Sequence, residues 1–158
     1  MNTLIAIDPG KSGGIAWVTP DGFTNGCPMP DTEGDVLDRL RELAIYQPTA
    51  YVEEVGGYCG AGQPGSAMFT FGRGFGFILG CLMSMGVSVV LVKPQKWQKH
   101  FSLGTSREAG SKADWKRKLK AEAQRRYPTV DVTLKTADAL LILDYAKHFA
   151  APKTVGED

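Results

Sequence analysis

Leu4-Ile5-Ala6-Ile7-Asp8-Pro9-Gly10-Lys11-Ser12-Gly13-Gly14-Ile15-Ala16-Trp17-Val18 is the stretch on which the reading of the chain turns. Its two apolar runs, 4–8 and 14–18, predict strands, and the Pro/Gly-rich residues between them predict a tight turn. The pair reads as a hairpin, and a third strand around 23–26 extends it into a meander. Asp8 ends the first run, at the edge of a segment that should be buried. A carboxylate removed from water without a partner is costly, so such an acid asks for a cation, a metal or a proton.

Downstream of the hairpin, helical and strand patterns alternate. Residues 35–46 carry Val36, Leu37, Leu40, Leu43 and Ala44 at helical spacing, and Pro48 follows. Residues 50–55 predict a strand, 56–65 a loop of glycine and small residues, and 66–85 a helix with Ser66 as its N-cap. A strand at 87–92 ends before Pro94. Residues 95–111 read as irregular and basic. An amphipathic helix at 112–127 places Trp115, Leu119, Ala123 and Tyr127 on one stripe, with Lys116, Lys120 and Arg125 pointing elsewhere, and Pro128 stops it. A last helix spans 135–149. This order predicts a mixed α/β layout with helices on a sheet. At 158 residues the chain is expected to form one domain, 1–158, large enough for a hydrophobic core.

The apolar fraction of 43% and charged fraction of 22% are those of a soluble globular protein. Residues 74–92 lack charge and could be mistaken for a membrane span. Gly86 divides them into a helical and a β-branched half, so a buried helix followed by a buried strand is expected, and no membrane. The apolar N-terminal run has no basic region before it, so no leader is expected. Cys27, Cys59 and Cys81 show no metal-ligand spacing and read as free thiols of a reducing, cytoplasmic compartment.

The net charge of +1 conceals an asymmetry. Residues 1–92 balance at −5, residues 93–126 at +8 and residues 127–158 at −2. The basic block is the footprint of a polyanion partner, or equally a solvated helix face with its loops.

Two further acids share Asp8's predicament. Glu53 and Glu54 end the run Ala50-Tyr51-Val52, and on a strand they point to opposite faces, so only one can join Asp8. Asp138 lies in Ala137-Asp138-Ala139-Leu140-Leu141-Ile142-Leu143, with Leu141 and Ile142 on its own face, which must pack inward. Each has an ordinary explanation: a turn aspartate, a solvated strand end, a helix N-terminal acid. Together, three acids from distant segments suggest a shared site for a hard cation such as Mg²⁺ or Mn²⁺. Such a site suits phosphodiester hydrolysis. Asp144, six residues after Asp138, falls on another face and reads as a surface acid near Lys147. His100 and His148 belong to no recognisable motif.

Ile7-Asp8-Pro9-Gly10 with Gly14-Ile15-Ala16, then Val52-Glu53-Glu54-Val55, then Ala137-Asp138-Ala139-Leu140-Leu141-Ile142 resemble the RuvC-type Holliday junction resolvases of the RNase H-like nucleases, particularly their phage-type members. The resemblance extends in element order over nearly the whole chain. It implies an RNase H-like α/β fold: a mixed five-stranded sheet with helices on both faces. It implies a crossover junction endodeoxyribonuclease, a homodimer that nicks four-way branched DNA symmetrically and leaves 5′-phosphate and 3′-hydroxyl ends. The setting would be the cytoplasm of a bacterial or phage-infected cell. Asp8, Glu53 and Asp138 match the family's metal ligands, with two Mg²⁺ or Mn²⁺ ions per active site when DNA is bound.

One position departs from the pattern. Three residues before Asp138 the bacterial family carries another acid, and here stands Lys135. Lys135 is expected either to replace part of one ion's charge or to shift preference toward Mn²⁺, in which case Lys135→Asp improves Mg²⁺-supported cleavage. Unchanged metal dependence would make it a bystander. For the DNA, Lys93, Lys96, Lys99, Arg107, Lys112, Lys116 and Lys118 could line the phosphate path. The family's junction-probing aromatic falls on Gly56, which leaves Tyr58 as a nearby candidate for base stacking. Gly72, Gly76 and Gly80 leave a smooth stripe on their helix, for packing on the sheet or, alternatively, for a dimer interface. Phe69, Phe71, Phe75 and Phe77 read as core or interface. Competing functions are an RNase H-like nuclease for RNA or RNA–DNA hybrids, a sugar-kinase or actin-type ATPase, and a non-catalytic module binding branched DNA. The ATPases need two such domains, for which the chain has no room.

Overall fold

In a computed structural model of the chain, which describes residues 2–56, 62 and 64–150, the opening hairpin forms as β1 (Leu4–Asp8) and β2 (Gly14–Val18). The two pair antiparallel, with Asp8 opposite Gly14. Gly10 takes φ +99°, a conformation glycine adopts without strain, and the Phe71 ring lies 2.7 Å from where a Cβ would stand. β3 (Thr24–Pro28) completes the meander. On the other side of β1, β4 (Thr49–Glu53) and β5 (Ser88–Val92) pair parallel, giving the order β3-β2-β1-β4-β5. The parallel crossovers are made by α1 (Glu33–Ala44) and α2 (Gly65–Ser84). Then follow α3 (Pro94–His100), α4 (Lys112–Arg126) and α5 (Ala137–Ala150).

Strand alternation sorts the side chains into two cores. Leu4, Ala6, Ala16 and Val18 pack with Trp97, Trp115, Leu119 and the apolar body of α5. Ile5, Ile7, Ile15 and Trp17 pack on the opposite face with Val36, Leu40, Leu43, Ile78 and Leu82 of α1 and α2. The chain thus forms the expected mixed five-stranded sheet with helices on both faces.

Several sequence expectations need correction. Residues 94–100 are helical, because Pro94 sits in the first turn, where its fixed φ and missing N–H cost nothing. The N-cap of α2 is Pro64 rather than Ser66. α5 begins at Ala137, so Lys135 lies in the turn before it. The segment expected as buried helix and strand is largely uncovered. On α2 only Ile78, Cys81 and Leu82 are buried, and on the edge strand β5 only Val92. A Cβ added at Gly72, Gly76 or Gly80 would meet no heavy atom within 4 Å, so this stripe faces away from the sheet. Phe69 is 73% exposed, while Phe75 and Phe77 pack on the core. α2 is long and apolar enough to cross a membrane by length and composition, with 17% of its most apolar window buried. Asp144 is a half-buried partner of Arg126 at 2.7 Å and accepts from the Tyr127 hydroxyl at 3.3 Å.

Candidate active site

The parallel register between β1 and β4 sets Ile7 against Val52, so the next step along both strands brings Asp8 beside Glu53 at their C-terminal ends. Neighbouring strands lie about 4.8 Å apart. Parity fixes the face. Asp8 follows Leu4 and Ala6, and Glu53 follows Tyr51, all on the side packed by α5. Glu54, one residue on, leaves the strand and donates its backbone N–H to the Val92 carbonyl at 2.8 Å.

Asp138 arrives from above, in the first turn of α5. Its approach depends on Gly14. A Cβ there would stand 2.6 Å from the Lys135 carbonyl oxygen and 3.3 Å from the Thr136 Cα. With glycine at that position the turn before α5 settles directly on the β1–β2 hairpin end, opposite Asp8. Thr133 and Thr136 stabilise the turn reciprocally: the Thr133 N–H donates to the Thr136 hydroxyl at 2.9 Å, and the Thr136 N–H to the Thr133 hydroxyl at 3.3 Å.

The three half-buried carboxylates feel one another. Burial raises the Asp8 pKa well above the ordinary carboxylate range, and the charges of Glu53 and Asp138 raise it further. Burial, with repulsion from Asp138, pushes Glu53 up to about 7 against the lowering effect of a hydrogen bond from Trp97. Burial pushes Asp138 up to about 6. One ammonium opposes these shifts at all three acids: that of Lys116, on α4.

No protein-family model matches the sequence, and no curated protein does. Solved structures do. The chain is similar to Thermus thermophilus RuvC in complex with a Holliday junction substrate, with a TM-score of 0.59 and 16% identity over 95% of this chain and 97% of that one. A further structure of T. thermophilus RuvC aligns with a TM-score of 0.52 and 17% identity over 93% of this chain and 96% of that one. The chain has a RuvC-like fold.

On this RuvC-like frame the structure brings Asp8, Glu53, Asp138 and Lys116 together and leaves Lys135 out. Lys135 is exposed and is not among the charges that act on the three acids. Lys116, expected along the phosphate path, is half-buried, and its charge acts on all three carboxylates. Lys93, Lys96, Lys99, Arg107, Lys112 and Lys118 are exposed, and among the described residues none is held in an ion pair. Tyr58 lies outside the described residues.

The donor set suits a hard divalent cation: three oxygen-bearing carboxylates, destabilised as anions by burial and, at Asp8 and Glu53, by their neighbours' charge. Among the described residues no three carboxylate, imidazole or thiol groups are gathered closely enough to hold one ion by themselves. That is compatible with Mg²⁺, which keeps several waters and takes one or two carboxylates together with substrate phosphate oxygens. Trp97 was missed by sequence reasoning. Its signal was Pro94 at a helix start, with Trp97 one turn inside it.

Proposed function

We propose that this chain is a metal-dependent structure-specific endonuclease of the RuvC type, of its phage-type branch, acting on four-way DNA junctions. It would act as a homodimer and cut by paired symmetric nicks that leave 5′-phosphate and 3′-hydroxyl ends. The observation that carries this reading is the coupling of Asp8, Glu53 and Asp138 on one face of the sheet, at the ends of β1 and β4 and the start of α5.

In this reading Asp8, Glu53 and Asp138 hold Mg²⁺ or Mn²⁺. Held by these three carboxylates, such ions would supply activation of a water and charge stabilisation at the leaving oxygen. The chain's own residues prepare that chemistry. The two strand ends fix Asp8 and Glu53 on rigid elements, and the first turn of α5 adds Asp138 with the helix N-terminus favouring its charge. Lys116 keeps part of the negative charge neutralised before substrate arrives, and its ammonium is available to a phosphate oxygen. The exposed Lys93, Lys96 and Lys99 on and beside α3 and Lys112 and Lys118 on α4 offer a basic surface to the DNA backbone.

Symmetric cutting requires two sites. The exposed stripe of α2 supports a dimer contact there, since Gly72, Gly76 and Gly80 leave room for a second backbone.

The test is cleavage of a labelled immobile four-way junction in Mg²⁺ and in Mn²⁺, with Asp8→Asn as control and linear duplex and an RNA–DNA hybrid as competitors. Paired symmetric nicks that vanish in Asp8→Asn are expected. Preferential cutting of the hybrid would move the substrate to RNA, and tight junction binding without cutting in either metal would leave a structural binder.

A further inference from the structure

We propose that Trp97 is a positioning residue for Glu53, clamping one carboxylate oxygen so that the other is presented to the site. This rests on the reading of Glu53 as a ligand for a divalent cation. The indole Nε1–H donates to Glu53 Oε2 at 2.7 Å, and the Trp97 side chain is fully buried, 0% exposed. Neither Asp8 nor Asp138 receives a side-chain hydrogen bond among the described residues, so Glu53 is the acid whose rotamer is held from behind.

The backbone explains how the indole gets there. Glu53 pairs with Val92 at the end of β5, and the Glu54 N–H is tied to the Val92 carbonyl. The chain then passes Lys93, starts α3 at Pro94 and returns Trp97 over Glu53 within one turn. The ring is fixed by packing in the core around Val92 and by an edge-on contact with Phe101, with ring centres 6.4 Å apart. An indole suits the task chemically. It offers one donor, no acceptor and no charge, so it orients a carboxylate without neutralising it. A lysine or arginine in its place would compete with the cation for the same anion. The arrangement is that of a buried donor steadying a ligand from outside the coordination sphere, where substitutions typically cost metal affinity.

The experiment removes the N–H while keeping the shape. Site-specific replacement of the Trp97 indole by benzothiophene, which has sulfur in place of N–H, is compared with Trp97→Phe and with the same replacement in Glu53→Gln. Mn²⁺ binding to the DNA-free protein is followed by electron paramagnetic resonance, and junction cleavage is resolved into kcat and KM. The expected result is a loss of Mn²⁺ affinity of about 10-fold or more in the benzothiophene protein, with kcat reduced and junction KM unchanged. In Glu53→Gln the indole replacement should add no further loss. A benzothiophene protein that binds Mn²⁺ and turns over like the parent, with only Trp97→Phe impaired, would reduce Trp97 to core packing and overturn the proposal. A parent protein that neither binds Mn²⁺ nor cuts would overturn the functional reading and this proposal together.

Discussion

Asp8, Glu53 and Asp138 are stored in a conformation that favours their protons. The folded pKa values of Glu53 and Asp138, about 7 and about 6, lie above those of an unfolded chain. From roughly pH 4 to pH 7 the folded protein therefore keeps protons that the unfolded protein has released, and the unfolding free energy falls as pH rises through that window. Glu53→Gln should thus make the metal-free protein more stable by about 1–2 kcal/mol near pH 8, measured by urea denaturation, while abolishing cleavage. Lys116→Met should do the reverse, lowering metal-free stability by about 1 kcal/mol at that pH, because it removes a cation whose charge favours all three ionised acids. Equal effects of Lys135→Met would return Lys135 to the site. Strand parity made it readable in advance that one of Glu53 and Glu54 could join Asp8, and the resemblance to the resolvases, not period 2, pointed to Glu53. The role of Lys116 was not readable. A helical wheel places it beside the apolar stripe but carries no record of which neighbour that flank will meet.

At the level of elements, the decisive contact is between α5 and the hairpin. Gly14→Ala forces a Cβ into the Lys135 carbonyl, and backbone cannot rotate aside as a side chain can. It should cost about 2 kcal/mol and move Asp138 off Asp8, so cleavage falls more steeply than thermal stability. Asp144→Ala offers a contrast. It leaves the half-buried Arg126 guanidinium with Glu122 as its remaining ion-pair partner among the described residues, and should cost about 2–3 kcal/mol in chemical denaturation while sparing the Asp8–Glu53–Asp138 cluster. The long periodic helices α1, α4 and α5 were visible in the sequence because their apolar spacing is redundant over several turns. α3 was not, since seven residues hold too little periodicity and Pro94 also reads as a strand stop. The exposure of α2 was hidden for the opposite reason: apolar composition looks alike whether the covering surface belongs to the same chain or to none.

For the molecule as a whole, charge and symmetry make separable demands. Replacing Lys93, Lys96 and Lys99 together by alanine should flatten the slope of log affinity against log salt for junction binding by about 2–3, leaving the metal affinity of the DNA-free protein unchanged. Gly76→Glu has room within a protomer, where an added Cβ meets nothing within 4 Å, so the fold should persist. Sedimentation should then show a monomer where the parent is a dimer, and a monomeric parent would remove α2 as the contact.

The acids also have an order of manufacture. Asp8 and Glu53 meet across the one seam where the sheet changes from antiparallel to parallel, and Asp138 comes from the last helix. No earlier fragment contains all three. A chain emerging from the ribosome therefore carries an incomplete set until α5 has been threaded out and docked on the hairpin. If the chain is the nuclease proposed above, synthesis itself would act as its safety catch among nucleic acids.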